Sequence, residues 1–156
     1  MKKLLILITF IAFGMNANAQ SATLKTSPGA LAFGVINACY EKVVSDNASF
    51  QISGSAWFGF GDADVNAFGI GAGYRMFVTK KEAPRGFYIM PRAGFTFGDA
   101  SAIGLGVDLG YQWVWDSGFV LDIGLGPNYY IGLGDNILSD FDGIVPNVIL
   151  AVGYAF

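Results

Sequence analysis

The final eleven residues, Pro146–Phe156, alternate between two kinds of side chain. Every second position, counted back from the last residue, is large and apolar: Phe156, Tyr154, Val152, Leu150, Val148 and Pro146. The positions between them are mostly small: Ala155, Gly153, Ala151, Ile149 and Asn147. Because successive side chains of a strand point to opposite faces, this pattern predicts a β-strand with one large apolar face and one small face.

Other parts of the chain repeat the alternation between turn signals. It is clear in residues 48–60, 65–79, 86–98, 101–115 and 119–131, and poor in residues 22–31 and 34–44. With the last segment this makes eight predicted strands and no predicted helix. An even number of strands places both chain ends on one side, so we predict an all-β, antiparallel, up-and-down, eight-stranded transmembrane barrel. Pro91 and Pro127 oppose a closed barrel unless they mark β-bulges, because proline lacks the ladder donor.

The first residues have the pattern of a secretory signal peptide. Lys2 and Lys3 precede an apolar segment, residues 4–13, and Ala17–Ala19 forms a small-x-small cleavage site. We expect residues 1–19 to be removed, which leaves one barrel domain, residues 20–156. The apolar segment is shorter than the roughly 20 residues of a transmembrane helix. Loss of the two lysines changes the formal charge from −3 to −5, which argues against a nucleic-acid partner.

The composition narrows the possible chemistry. Only 13% of the residues are charged, about half the usual fraction of roughly 25% in soluble proteins. The chain has no histidine and one cysteine, Cys39, so it lacks the commonest general base and cannot form an internal disulfide. The acidic residues of the 132–143 connection do not have the spacing of a calcium loop. We therefore expect no metal and no cofactor.

The small-residue face decides which side of the barrel meets lipid. It carries about one charge per strand, at Glu41, Arg75, Arg92, Asp108 and Asp122. A water-exposed surface would be roughly 25–35% charged, so we place this face inside the barrel and the apolar face outside. Buried charges need partners, which predicts ion pairs across the lumen, with one acid left for water, Lys25 or Gln51. We interpret the set as a network that holds the barrel closed; it could also be a gated polar path or a carboxylate-based active site.

Aromatic side chains occur near the predicted strand ends. We predict that they form the belt at the membrane–water interface, rather than the core of a β-sandwich. The residues are Tyr111, Trp113, Trp115, Tyr129 and Tyr154.

Several short motifs give the chain a family resemblance. Residues 20–156 resemble small outer-membrane barrels of the OmpA/OmpX type. The start of this range also resembles the uncharacterised family DUF3575 in that group, through Thr23-Leu24-Lys25-Thr26, Tyr40-Glu41 and Ser49-Phe50. The later motifs fit the same general pattern: Gly73-Tyr74-Arg75, Gly86-Phe87-Tyr88 and Gly110-Tyr111-Gln112-Trp113. The resemblance implies an integral bacterial outer-membrane protein without agreed catalytic residues. It also implies that periplasmic chaperones and the barrel-assembly machinery are its partners, and that Tyr154 and Phe156 form the C-terminal assembly signal.

The leading hypothesis is a monomeric, non-enzymatic outer-membrane barrel with an envelope-structural or surface-binding role. In it, Phe156 lies at the periplasmic edge and the connections near Asp62, Asp99 and Asp140 face outward. Three competing hypotheses stay open: a small porin-like passive pore, a soluble lipocalin-like periplasmic carrier, and a lipid-modifying enzyme. For the enzyme, the candidate rim residues are Asp99, Ser101 and Asp140.

Overall fold

A closed antiparallel barrel accounts for most of the chain. The computed structural model describes residues 20–60, 63–79, 82–99, 101–133 and 142–156. In these residues each strand pairs with its sequence neighbours, and the last strand pairs with the first. The predicted up-and-down barrel of eight strands is therefore confirmed. The strands are β1 (Ala22–Thr26), β2 (Val35–Ser45), β3 (Ala48–Phe60), β4 (Ala63–Phe77), β5 (Gly86–Gly98), β6 (Ala102–Val114), β7 (Phe119–Gly132) and β8 (Gly143–Ala155).

The pairing register sets the width of the barrel. A row of paired residues starts on β8 at Gly153 and crosses all seven remaining strands in turn. It returns to β8 at Gly143, ten residues earlier in the chain. The row passes through Lys25, Cys39, Ser53, Gly71, Gly94, Gly104 and Tyr130. With a rise of roughly 3.3 Å per residue and roughly 4.8 Å between strands, this stagger gives a strand tilt of about 40°. An eight-stranded barrel with this tilt is narrow, so inward side chains from opposite walls can meet.

The first predicted strand, residues 22–31, is wrong beyond Thr26. Pro28–Phe33 forms a 3₁₀ helix, and Gly34 ends it in the left-handed conformation with φ 68°. Pro28 has no N–H to give to a ladder, and its fixed φ suits the first turn of a helix. Gly34 adopts positive φ without steric cost, and its N–H donates to the Leu31 carbonyl at 3.0 Å. The expectation that the chain has no helix is wrong at this point as well.

Pro91 and Pro127, which opposed a closed barrel unless they marked bulges, lie in closed-barrel ladders without a register shift. Pro127 lies opposite Pro146 in a β7–β8 ladder whose register is constant from end to end. The β5–β6 ladder pairs Pro91 with Val107, also without a shift. The shifts lie in the β2–β3 ladder between Val43 and Ser45, and in the β3–β4 ladder between Phe58 and Phe60. Both shifts are beside connections, where the ladder is about to end.

The two faces of the sheet have opposite character. Large apolar side chains point outward from all eight strands and are solvent-exposed; Val148 is 76% exposed and Leu125 is 68% exposed. Among the outward strand positions whose side chains are described, Lys42 is the only charged residue. The buried charged side chains Lys25, Glu41, Arg75, Asp108 and Asp122 point inward. The predicted assignment of faces is therefore confirmed. In the described ranges, no helix has the length and apolar character needed to cross a bilayer.

The barrel has two distinct ends. The terminal end holds residues 20–22, Phe156 and the connections β2–β3, β4–β5 and β6–β7. The loop end holds the 3₁₀ helix, the last residues of β3, β5 and β7 and the first residues of β4, β6 and β8. At the terminal end the Phe156 carbonyl accepts the N–H groups of Ser21 and Ala22, both at 3.0 Å.

The aromatic residues of the predicted belt divide between these ends. Tyr111, Trp113, Trp115 and Tyr154 lie in the terminal half, whereas Tyr129 lies in the loop half. The rings of Tyr111 and Trp113 are 4.3 Å apart between centroids. In the loop half, the Phe68 and Phe97 rings stack at 5.7 Å. Exposed aromatic rings therefore occur on the outer wall towards both ends.

Candidate functional site in the barrel interior

Lys25 is the centre of a buried charge network near the terminal end. Its Nζ lies 2.7 Å from Glu41 Oε2 and 2.8 Å from Asp122 Oδ2. The three side chains come from β1, β2 and β7, and each is 1% exposed or less. Lys25 on β1 therefore connects a carboxylate on β2, on one side of β1, with a carboxylate on β7, on the other side.

Arg75 on β4 approaches the same two carboxylates. Its Nη1 lies 2.9 Å from Asp122 Oδ2 and 3.5 Å from Glu41 Oε2. Its guanidinium carbon lies 3.8 Å from the centroid of the Tyr88 ring, a cation–π distance. The Tyr88 hydroxyl donates to Asp122 Oδ1 at 2.7 Å. Lys25, Glu41, Arg75 and Asp122, which we call the charge quartet, thus contain two positive and two negative groups and are neutral together.

Neutral polar groups complete the charge quartet. Gln112 Oε1 accepts from Lys25 Nζ at 2.6 Å and from Arg75 Nη1 at 2.5 Å. Its Nε2 donates to Glu41 Oε2 at 3.1 Å and to the Pro84 carbonyl at 2.6 Å. Because Pro84 lies in the β4–β5 connection, Gln112 ties that connection to the interior of the barrel. Further bonds to the Glu41 carboxylate come from the Thr23 and Ser49 hydroxyls.

A second ion pair lies apart from the charge quartet. Arg92 Nε approaches Asp108 Oδ2 at 2.7 Å, and Asn147 Nδ2 donates to Asp108 Oδ1 at 2.9 Å. Asp108 is fully buried, whereas the Arg92 side chain is 26% exposed. The approach of Arg92 to Asp108 is close but lacks hydrogen-bond geometry. In the described part of the chain, the buried polar atoms without a hydrogen-bond partner include Arg92 Nε, Arg92 Nη2, Asp108 Oδ2 and Asn128 Oδ1.

The structure divides the five charges that were predicted as one network. Glu41, Arg75 and Asp122 come together, and Lys25, one of the three partners considered for the spare acid, joins them. Arg92 and Asp108 form their own pair. Tyr88 and Gln112 were not predicted as members, although their inward parity could have indicated them.

A cavity of about 580 Å³ extends from the charge quartet towards the loop end. Small inward residues of β3–β6 leave this space, including Ser53, Gly71, Gly94 and Gly104. Trp57 and Tyr130 line it nearer the loop end, and Cys39 lines it from β2. The interior is therefore filled at the terminal end and hollow above the charge quartet.

The rim residues considered for catalysis take part in turn contacts. Asp99 Oδ2 accepts the backbone N–H of Asn66 at 2.8 Å, and Ser101 Oγ donates to the Gly98 carbonyl at 3.2 Å. Asp140 lies outside the described residues. Across the described ranges, no cluster of three or more His, Cys, Asp or Glu side chains could hold a metal ion.

Comparison with known proteins adds no relative. No family model matches the sequence, and no curated protein or solved structure is detectably similar to it. The resemblance to OmpA/OmpX-type barrels therefore stays a prediction from the quoted motifs.

We predict that replacing Lys25 with Met destabilises the barrel by about 3–5 kcal/mol, because two buried carboxylates would then share only Arg75. The free energy of unfolding in detergent micelles, measured by urea titration, tests this. Lys42→Met is the matched control: Lys42 is exposed on the neighbouring strand and bonds only the Ser21 hydroxyl in the described contacts. Equal effects of the two substitutions would contradict the central role of Lys25.

Arg92→Leu should have a smaller effect, a loss of about 1–3 kcal/mol. Asp108 would lose its cation but keep the hydrogen bond from Asn147. Arg92 is partly exposed, so its contribution to the ion pair is weaker than that of a fully buried cation. The same urea titration measures the loss. An unchanged unfolding midpoint would show that the Arg92–Asp108 contact contributes nothing to folding.

Proposed function

We propose that the chain is an integral β-barrel protein of the bacterial outer membrane, with a non-enzymatic role in envelope structure or surface binding. The outer wall is the observation that carries this proposal. Its described side chains are mostly apolar and many are large, Lys42 is the single charged one among them, and the wall surrounds the whole barrel. Water-soluble monomers rarely expose continuous apolar patches of more than a few hundred Å². Lipid is the solvent that such a wall matches.

The strand lengths fit a bilayer. Strands β2–β8 have 11 to 15 residues, and a tilted transmembrane strand needs roughly 9–11. At a tilt of about 40°, a 13-residue strand rises about 30 Å, close to the thickness of the hydrocarbon core. The aromatic rings towards both ends of the wall suit the two membrane–water interfaces.

The interior argues against a passive pore. A water-filled channel would leave its lining accessible, but Lys25, Glu41, Arg75, Gln112 and Asp122 are at most 2% exposed. Behind them Phe77, Tyr88 and Met90 form a buried apolar cluster that also contacts Ala83 and Ile149. Because the terminal end is filled by side chains, the interior favours a structural or surface-binding barrel over an open channel.

The soluble carrier and the lipid-modifying enzyme are supported less well. A lipocalin-like carrier would direct its apolar face into a ligand cavity, whereas here that face is outside. A lipid-modifying enzyme would need a nucleophile with a base nearby. Asp99 and Ser101 instead contact backbone groups of the turns beside them. In its simplest form, the proposal is a monomer surrounded by lipid. Periplasmic chaperones would escort the chain, and the assembly machinery would insert it.

Membrane insertion can be tested on isolated outer membranes. We expect the protein to stay with the membrane during a carbonate wash and to migrate faster on a gel when it is not boiled. A closed barrel that resists detergent is more compact than the heat-unfolded chain. Release into the soluble fraction would refute the proposal, because the apolar wall would then need a protein partner.

Two substitutions with the same starting exposure can locate the lipid. Leu109 lies near the middle of β6 and Val44 near the end of β2, and both are 55% exposed. If the wall faces lipid, Leu109→Arg should destabilise the barrel in lipid vesicles by about 2–4 kcal/mol and Val44→Arg by about 0–1 kcal/mol. In a water-exposed wall both changes would be close to neutral. Equal, small effects on unfolding in vesicles would therefore count against membrane insertion.

A further inference from the structure

We propose that the cavity above the charge quartet binds a small neutral polyhydroxylated ligand, of the size of one or two sugar rings. The inference rests on the proposed function in one respect. If lipid covers the apolar outer wall, that wall cannot bind a polar ligand, whereas the polar cavity can. Four features of the cavity support it, namely its size, its charge balance, its unpartnered polar atoms and its aromatic side chains.

The size of the cavity exceeds what packing requires. A narrow barrel is normally filled by its own side chains. Here the β3–β6 part of the wall carries Ser53, Gly71, Gly94 and Gly104 in consecutive paired positions. The resulting volume, about 580 Å³, lies in the range of roughly 300–1,000 Å³ that small-molecule sites occupy.

The charges around the cavity cancel. The charge quartet that forms its floor is neutral, and so is the pair Arg92 and Asp108 on its wall. A ligand with a net charge would bring one uncompensated charge into this setting, which is costly away from water. A neutral ligand avoids that cost.

The unpartnered polar atoms are of both kinds. Arg92 Nη2 is a donor and Asn128 Oδ1 is an acceptor, whereas Arg92 Nε and Asp108 Oδ2 face each other at 2.7 Å as an ion pair. Asp108 and Asn128 are 0% and 2% exposed, and both line the cavity. A hydroxyl group both donates and accepts, so neighbouring hydroxyls match this mixed set. A carboxylate group offers acceptors alone, an ammonium group offers donors alone, and phosphate at neutral pH offers mainly acceptors.

The aromatic side chains supply the apolar part of the site. Trp57 and Tyr130 line the cavity from β3 and β7, nearer the loop end. Flat rings together with a few placed polar groups are the usual composition of a small-molecule site. A sugar ring presents C–H groups on its faces and hydroxyls at its edge, so it can contact a ring and the polar atoms together.

Cys39 provides a reporter that needs no engineering. It is the only cysteine of the chain, and it lines the cavity. The test uses the membrane-inserted barrel, a small methanethiosulfonate reagent and mass detection of the modified protein. The probes are glucose, N-acetylglucosamine and sucrose, with glutamate and phosphate as charged competitors.

We expect the reagent to modify Cys39 slowly, and at least one of the three sugars to slow it further in a saturable way. A sugar present at ten times its dissociation constant should slow labelling about tenfold. Asn128→Leu should abolish this protection, measured against its own labelling rate in the absence of sugar. Tyr129→Phe, the neighbouring outward position on β7, should leave protection intact.

Three results would overturn the inference. Absence of labelling in the folded barrel would show that solutes do not reach the cavity. Labelling that none of the three sugars slows would show that the cavity holds water only. Stronger protection by glutamate or phosphate would show the wrong ligand class. Gel mobility and carbonate retention are scored on the same sample, so a barrel that is inserted but unprotected refutes this inference and leaves the proposed function standing.

Discussion

Four buried charges meet across the seam at which this barrel closes. The shortest strand, β1, has four residue pairs with β2 and four with β8, so backbone pairing alone makes it the weakest part of the wall. Lys25 projects from this strand and reaches Glu41 on β2 and Asp122 on β7. The ion pairs therefore span the seam where the first and last strands meet. Because the desolvated charges are stable only together, an open sheet would leave them uncompensated, and closure is coupled to the neutrality of the charge quartet.

The same arrangement divides the interior. An eight-stranded barrel with a fixed stagger has a fixed internal volume. Large inward side chains such as Arg75, Tyr88, Met90 and Gln112 are concentrated in the terminal half. Glycine and serine occupy the equivalent positions of β3–β6 in the loop half. The terminal half is thus filled by side chains, and the loop half contains the cavity.

The architecture was predictable from the sequence because its signal is local. A period of two is visible within each of β3–β8, and it assigns every residue to one face without knowledge of the neighbouring strands. The first strand could not be delimited in this way. Pro28 and Gly34 favour a 3₁₀ helix, but Ala30–Phe33 carries apolar residues that fit a strand equally well. The objection that prolines raised to a closed barrel failed for a related reason. Pro127 lies opposite Pro146 in the β7–β8 ladder, and this pairing cannot be read from either strand alone.

The membership of the charge quartet was only partly predictable, because it depends on stagger. Alternation shows that Glu41, Arg75, Arg92, Asp108 and Asp122 point inward, but it does not give their heights along the barrel axis. A shift of ten residues per circuit brings Lys25, the fourth residue of β1, level with Asp122, the fourth residue of β7. Arg92 pairs with Gly106 across the β5–β6 ladder, so Asp108 is its diagonal neighbour, within reach of a long side chain. Local alternation therefore defines the faces, whereas the cumulative register decides which buried charges meet, and with them which half of the barrel is filled.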